Sequence, residues 1–186
     1  MGGMAGTVYF VAASLDGFIV DARNSEELFK QFTGTGAGAG SAGAGSAGAG
    51  FGFGVVAMGA ETYRSFEGSP KSWPYGTLPA WVFTHHELAA IPGADITFVR
   101  GEVAEFHADL QLDAGGHGVA LCGGGNLAAQ FMESGLVDEM VLMVLPVALG
   151  SGRPVLPVRK ATGHASLVEG RSMGQGVVRL HYRFQD

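Results

Sequence analysis

The chain has 186 residues, 47% of them apolar, enough for a full hydrophobic core, and a single domain over residues 1–186 is expected. A formal net charge of −6 with only 11 Lys+Arg argues against the basic surface that nucleic-acid binding requires. No apolar run has the length of a transmembrane helix, so no membrane span is expected, and Cys122, the sole cysteine, excludes an internal disulfide and suits a reducing compartment.

The opening residues 1–6 (MGGMAG) lack the charged and apolar regions of a signal peptide, so a cytoplasmic protein is expected. Residues 7–13 (TVYFVAA) are continuously apolar and β-prone, which predicts a central strand covered on both faces. In residues 14–20 (SLDGFIV), Asp16-Gly17 breaks that strand, and Phe18, Ile19 and Val20 then return apolar side chains over its end. A loop at the carboxyl end of a central strand lies where open α/β sheets bind ligands, so Asp16 is either a lone acid at that mouth or the cap of its own turn. Residues 24–32 (NSEELFKQF) begin with capping residues, carry acids in the first turn and place Leu28, Phe29 and Phe32 on one face, predicting a short amphipathic helix.

Composition then changes abruptly. Residues 34–54 form a Gly/Ala/Ser tract with about ten glycines. At roughly 1 kcal/mol each against alanine, they would cost a helix about 10 kcal/mol, comparable with the stability of a whole domain. Alternating Gly and Ala forms strands only by stacking on copies of itself, so a flexible surface loop is expected ahead of a self-assembling segment. Closing ~20 flexible residues costs on the order of 3 kcal/mol, which a good core can carry.

Residues 55–58 read as a second buried strand, turned by Gly59 into a helix over 59–66 with Thr62 in its first turn. A loop over 67–79 leads to a third strand over 80–84 that ends at Thr84-His85-His86, and a fourth strand over 96–99 stops at Arg100-Gly101. The adjacent histidines do not suggest a metal site, because successive side chains point apart and no Cys or acid stands at ligand spacing. Val103, Phe106 and Leu110 recur at helical spacing.

The most informative stretch is 119–131 (VALCGGGNLAAQF). A short apolar strand runs through Gly123, Gly124 and Gly125 into a helix marked by Leu127, Ala128, Phe131 and Met132. Glycines without a Cβ, followed by the unpaired amides and positive dipole end of a helix, suit a phosphate; three glycines equally suit a tight turn packed against a neighbour. Cys122, at the strand end, reads as a small buried hydrophobe in preference to a reactive thiol. Residues 137–146 predict another strand and 147–154 a turn-rich loop. Residues 166–169 and 177–184 alternate with period two around a glycine-bearing segment, 170–176, as an antiparallel pair would. The order of elements predicts an α/β fold: a mostly parallel central sheet with right-handed crossovers, helices on both faces and an antiparallel C-terminal strand pair.

Five stretches taken together resemble one family: residues 12–19 (AASLDGFI), 56–63 (VAMGAETY), 81–85 (WVFTH), 123–127 (GGGNL) and 146–154 (PVALGSGRP). They are similar to the dihydrofolate reductase-like superfamily, in particular the branch built like the C-terminal reductase domain of the bacterial riboflavin-biosynthesis deaminase-reductase. The resemblance spans nearly the whole chain outside residues 34–54. It implies the single-domain dihydrofolate reductase-like fold, NADPH as cofactor, hydride transfer to a C=N or C=O group of a small-molecule substrate, and a homodimer. A nucleotide-binding paralogue without turnover is the alternative.

Residue by residue, the resemblance implies that Gly123, Gly124, Gly125, Asn126 and Leu127 hold the pyrophosphate and nicotinamide ribose. Gly59 and Thr62 match the second phosphate-binding helix start. Thr84 and His85 match the strand end beside the adenosine ribose, with Arg100 on the adenine side. Ala13 and Ile19 match positions lining the nicotinamide. Asp16 matches the acid associated with substrate and with the proton that accompanies hydride transfer; shielding by Leu15, Phe18 and Ile19 predicts a carboxyl that holds a proton nearer neutral pH than a free aspartate. There are two departures from the family. Ala60 stands where relatives commonly place an Arg against the 2′-phosphate, leaving His85, His86 and Arg100 as substitutes, and residues 34–54 stand where relatives usually carry helical sequence on the substrate side.

Overall fold

The computed structural model describes residues 6–23, 25, 31–32, 52–67 and 73–185. In chain order these form β1 (Thr7–Ser14), β2 (Phe18–Asp21), β3 (Phe53–Gly59), α1 (Ala60–Arg64), β4 (Ala80–Phe83), β5 (Ile96–Val99), α2 (Val103–Asp113) and β6 (Gly118–Leu121). There follow α3 (Gly125–Glu133), β7 (Glu139–Leu145), β8 (Gly152–Pro154), β9 (Ala165–Gly174) and β10 (Val177–Phe184). Eight strands make one sheet in the order β5-β4-β3-β6-β1-β7-β10-β9, parallel from β5 to β7, with β10 antiparallel to both of its neighbours.

Every residue of β1 is buried because the sheet carries a core on each face. Tyr9 and Val11 join one core cluster with Val55, Ala57, Val119 and Leu121, beneath α2 and α3. Val8 and Phe10 join the other with Val56, Met58, Ala120 and Cys122, beneath Tyr63 and Phe66 at the α1 end. A strand with two apolar partners has no reason to alternate, so the expected continuous runs and the helices on both faces have the same cause. Tyr63 is fully buried, and its hydroxyl donates to the Ala89 carbonyl at 2.7 Å and accepts from the Ile91 amide at 3.1 Å, tying α1 to the segment ahead of β5.

Several boundaries differ from expectation. β3 begins at Phe53, inside the tract expected to be a loop over 34–54, because the Phe53 ring meets Phe10 edge-on at 5.2 Å. Gly54 lies flush against the end of α2; a Cβ there would fall 2.0 Å from the Ala114 carbonyl oxygen. The two segments expected as loops over 14–20 and 147–154 instead contribute β2 and β8, which pair antiparallel as a separate two-stranded ribbon. Gly152 permits the close approach, with φ 157° and a missing Cβ that would stand 1.9 Å from the Val20 carbonyl oxygen. At the C-terminal end β9 runs on through residues 170–174, and the turn contracts to Gln175-Gly176, both at positive φ as two-residue hairpins prefer. β7 starts at Glu139 rather than at residue 137. Residues 24 and 26–30 of the expected helix over 24–32, and residues 33–51 of the tract and its approach, lie outside the described residues. No helix among the described residues is long and apolar enough to cross a membrane.

Candidate functional site

Parallel pairing of β3 with β6 brings two strand-to-helix junctions together. The Gly59 amide donates to the Gly123 carbonyl at 2.9 Å, and the Cys122 amide to that of Ala57 at 2.8 Å. α1 leaves from one junction and α3 from the other. Above them opens a cleft of about 660 Å³ at the carboxyl ends of the strands, where sheets of this type hold ligands. Gly59, Ala60, Thr84, His85, Gly124, Gly125, Asn126 and Leu127 all line it, so eight residues selected from sequence share one surface.

The three glycines of the β6–α3 turn have three different reasons to be glycine. Gly123 has φ 98°, a left-handed conformation costly to other residues, and the peptide joining it to Gly124 is cis. Gly125 is a packing position: a Cβ would lie 2.4 Å from the Pro154 carbonyl oxygen, so the helix start lies directly against β8. Gly124 alone faces open space, with nothing within 4 Å of where its Cβ would be. Both readings of this stretch therefore hold, at different residues: a tight packed turn at Gly123 and Gly125, and an open approach to backbone at Gly124. No side chain caps the start of α3, which leaves its first-turn amides for a ligand.

His86 lines the cleft as well, whereas Thr62, Arg100, Ala13 and Ile19 do not. Thr62 stands beside the turn, its Oγ1 3.7 Å from the position a Cβ on Gly123 would take. Arg100 donates to the His85 carbonyl at 3.0 Å and lines a smaller hollow of about 370 Å³ next door, shared with Thr84 and His86. Ala13 is buried within β1, and Ile19 is half-buried against the same core as Val155.

Asp16 departs from expectation in its charge state. Its carboxylate accepts hydrogen bonds from the Ser14 hydroxyl at 2.6 Å and from the amides of Leu149 at 3.0 Å and Gly150 at 2.7 Å. These donors stabilise the ionised form and lower its pKa to about 2, the Ser14 bond contributing most. The arrangement favours the carboxylate over a carboxyl that holds a proton near neutral pH. The apolar neighbours do not enclose the carboxylate, and the donors that reach it come from the chain near residue 149, which local sequence cannot foresee. With the Leu15 amide donating to the Val147 carbonyl at 2.8 Å, Asp16 clasps the 147–150 segment to the end of β1.

Sequence reasoning missed the cleft's strongest charges. Glu61, Arg64 and Arg153 all line it. Glu61 bonds the Arg64 guanidinium through one carboxylate oxygen and approaches Arg153 at 3.3 Å through the other, and its pKa is lowered first by Arg64 and then by Arg153. The Glu61–Arg64 pair was readable as an i,i+3 couple on a helix. Arg153 had only its place in the 146–154 motif to mark it.

The fold and the cleft define the class of protein: a mixed α/β domain that opens a glycine-floored ligand cleft at the carboxyl ends of a mostly parallel sheet. The chain belongs to the RibD C-terminal domain family, a family of reductases, which it matches over residues 73–178, more than half its length. It is 28% identical over 176 residues to the uncharacterized protein YwjB of Bacillus subtilis, covering 95% of this chain and 96% of that one. Its fold is similar to that of a putative riboflavin biosynthesis protein from Shewanella, with a TM-score of 0.75 at 21% identity over 97% of this chain and 99% of that one. Dihydrofolate reductase from Enterococcus faecalis, a structure complexed with NADP(H), superposes with a TM-score of 0.59 at 10% identity over the full length of both chains.

Proposed function

We propose that the protein is an NADPH-dependent reductase that transfers a hydride to a C=N or C=O group of a small heterocyclic or sugar-like substrate, similar to riboflavin-pathway pyrimidine reductases or dihydrofolate reductase. The observation that carries this is Gly124: an open backbone position, at the uncapped start of α3, on the floor of a cleft large enough for a nucleotide. The donor chemistry fits a dinucleotide. Amides at Gly124, Gly125 and Asn126 suit the pyrophosphate, with Gly123 shaping the turn, Leu127 beneath, and Gly59 and Thr62 at the facing junction. Thr84, His85 and Arg100 bound the adenosine end, and Ala13 and Ile19 the nicotinamide end.

NADPH, when bound, supplies the hydride, and the protein binds and orients it. Asp16 acts as an ionised clasp that holds the 147–150 segment beside the nicotinamide end, so the accompanying proton comes from solvent water. On this proposal residues 1–186 work as one domain, in the cytoplasm and as a homodimer. The exposure of Leu167 and Val168 on the edge strand β9 supports the dimer.

A second reading, a nucleotide-binding paralogue without turnover, is favoured by the ionised state of Asp16 and by the tract that stands where relatives have substrate-side sequence. Loss of NADPH absorbance with candidate pterin, pyrimidine and sugar-ketone substrates separates the two. Oxidation with any of them supports the reductase, whereas tight NADPH binding with no oxidation in the whole panel supports the paralogue.

A further inference from the structure

The cleft carries an internal anion. Glu61 projects into it from α1 and is bracketed by two guanidiniums that arrive from different parts of the chain, Arg64 one helical turn later and Arg153 from β8. Both arginines stand on backbone tied by tertiary contacts. Arg64 follows Tyr63, fully buried and bonded through its hydroxyl to the 89–91 segment. Arg153 pairs with Val20 in the β2–β8 ribbon, between Gly152, packed on the Val20 carbonyl, and Pro154, packed on Gly125. Gly125 begins the uncapped helix, so Arg153 is held at the same wall as the phosphate-facing amides.

We propose that Arg64 and Arg153 form a clamp for the diphosphate of the bound nucleotide, and that Glu61 occupies the clamp until the diphosphate displaces it. This rests on the nucleotide cleft described above and adds the residues that deliver its charge. An acid beside a phosphate would otherwise repel it; here the same acid keeps two flexible cationic side chains converged in the absence of ligand. The exchange is favourable because all three side chains are partly exposed, at 53% for Glu61, 37% for Arg64 and 45% for Arg153, and solvated ion pairs of this kind are weak. A guanidinium meets a phosphate with two parallel charge-assisted hydrogen bonds, which are stronger. The clamp explains how a chain with Ala60 retains a cationic cleft. Because it engages a group common to NADH, NADPH and ADP, it does not restore selection of the 2′-phosphate.

The test is calorimetric titration of ADP, NADH and NADPH into the full-length protein and into Glu61→Gln, Arg153→Gln and the double variant, each checked for an unchanged circular dichroism spectrum. Glu61→Gln should tighten all three nucleotides by roughly threefold to tenfold, and Arg153→Gln should weaken all three by about tenfold with the NADPH-to-NADH ratio unchanged. The double variant should fall between them. If nucleotides bind the wild type but Arg153→Gln leaves ADP affinity intact, the clamp is wrong while the nucleotide cleft stands. If Arg153→Gln weakens NADPH alone, Arg153 serves the 2′-phosphate and the clamp is again wrong. Absence of nucleotide binding by the folded wild type overturns both.

Discussion

The Gly59 amide donates to the Gly123 carbonyl at 2.9 Å, so the ends of β3 and β6, far apart in sequence, meet as the floor of one cleft. Because that floor is backbone, side chains can be added to it selectively. Gly124→Val places its side chain in open space and should leave the fold intact while weakening NADPH binding tenfold or more. Gly125→Ala forces a Cβ to 2.4 Å from the Pro154 carbonyl oxygen and should destabilise the protein by about 1–3 kcal/mol, as overpacking does. Thermal unfolding combined with nucleotide titration checks both. Wild-type NADPH affinity in folded Gly124→Val would move the cofactor elsewhere.

Asp16 should remain ionised throughout the working pH range. Its folded-state pKa of about 2 lies below the ordinary value of 3.8, so its contribution to stability is fully present above about pH 4 and is lost as pH falls through about 2. A carboxyl carbon titration by NMR should accordingly give a midpoint near 2, and the pH–rate profile between 5 and 8 should carry no ionisation that Asp16→Asn removes. That variant should instead increase amide hydrogen exchange at Leu149 and Gly150, whose donors lose a charged acceptor. A measured midpoint above 5 would restore the proton-donor role.

On the proposed reading, Ala60 offers the 2′-phosphate of NADPH no charged side chain. His85 and His86 line the cleft, whereas Arg100 is turned toward the His85 carbonyl. Wild-type preference for NADPH over NADH should therefore be modest. Ala60→Arg should raise it by tenfold to a hundredfold, the equivalent of about 1.5–3 kcal/mol for a charge-assisted pair. Competitive titration of the two nucleotides measures this directly, and an unchanged ratio in the variant would mean that position 60 does not face the ribose phosphate.

Cys122 should be silent in the native protein. It is 2% exposed, and burial pushes its thiol up to about 12, so almost no thiolate exists at neutral pH and no reagent reaches it. A chromogenic disulfide should react with one thiol per chain in denaturant and with none over the same minutes without it. Rapid native labelling would show that the end of β6 opens.

The elements with a buried face or a helical period were legible in the sequence, because burial writes its period into successive residues. Residues 7–13, 55–58 and 119–122 carry no alternation since both faces of their strands are covered, and Gly59 and Gly123 interrupt apolar runs where strands turn into helices. The motifs at 56–63 and 123–127 supplied the two junctions that floor the cleft on the same basis. What only the tertiary structure decided depends on partners distant in the chain. Pairing of β2 with β8 delivers Arg153 to Glu61 across the cleft, and the amides of Leu149 and Gly150 keep Asp16 ionised. The Pro154 carbonyl, and not a phosphate, requires glycine at 125. A local pattern records which face of an element avoids water; the charge of a carboxylate, and the reason a glycine has no side chain, are determined by atoms that arrive from elsewhere in the fold.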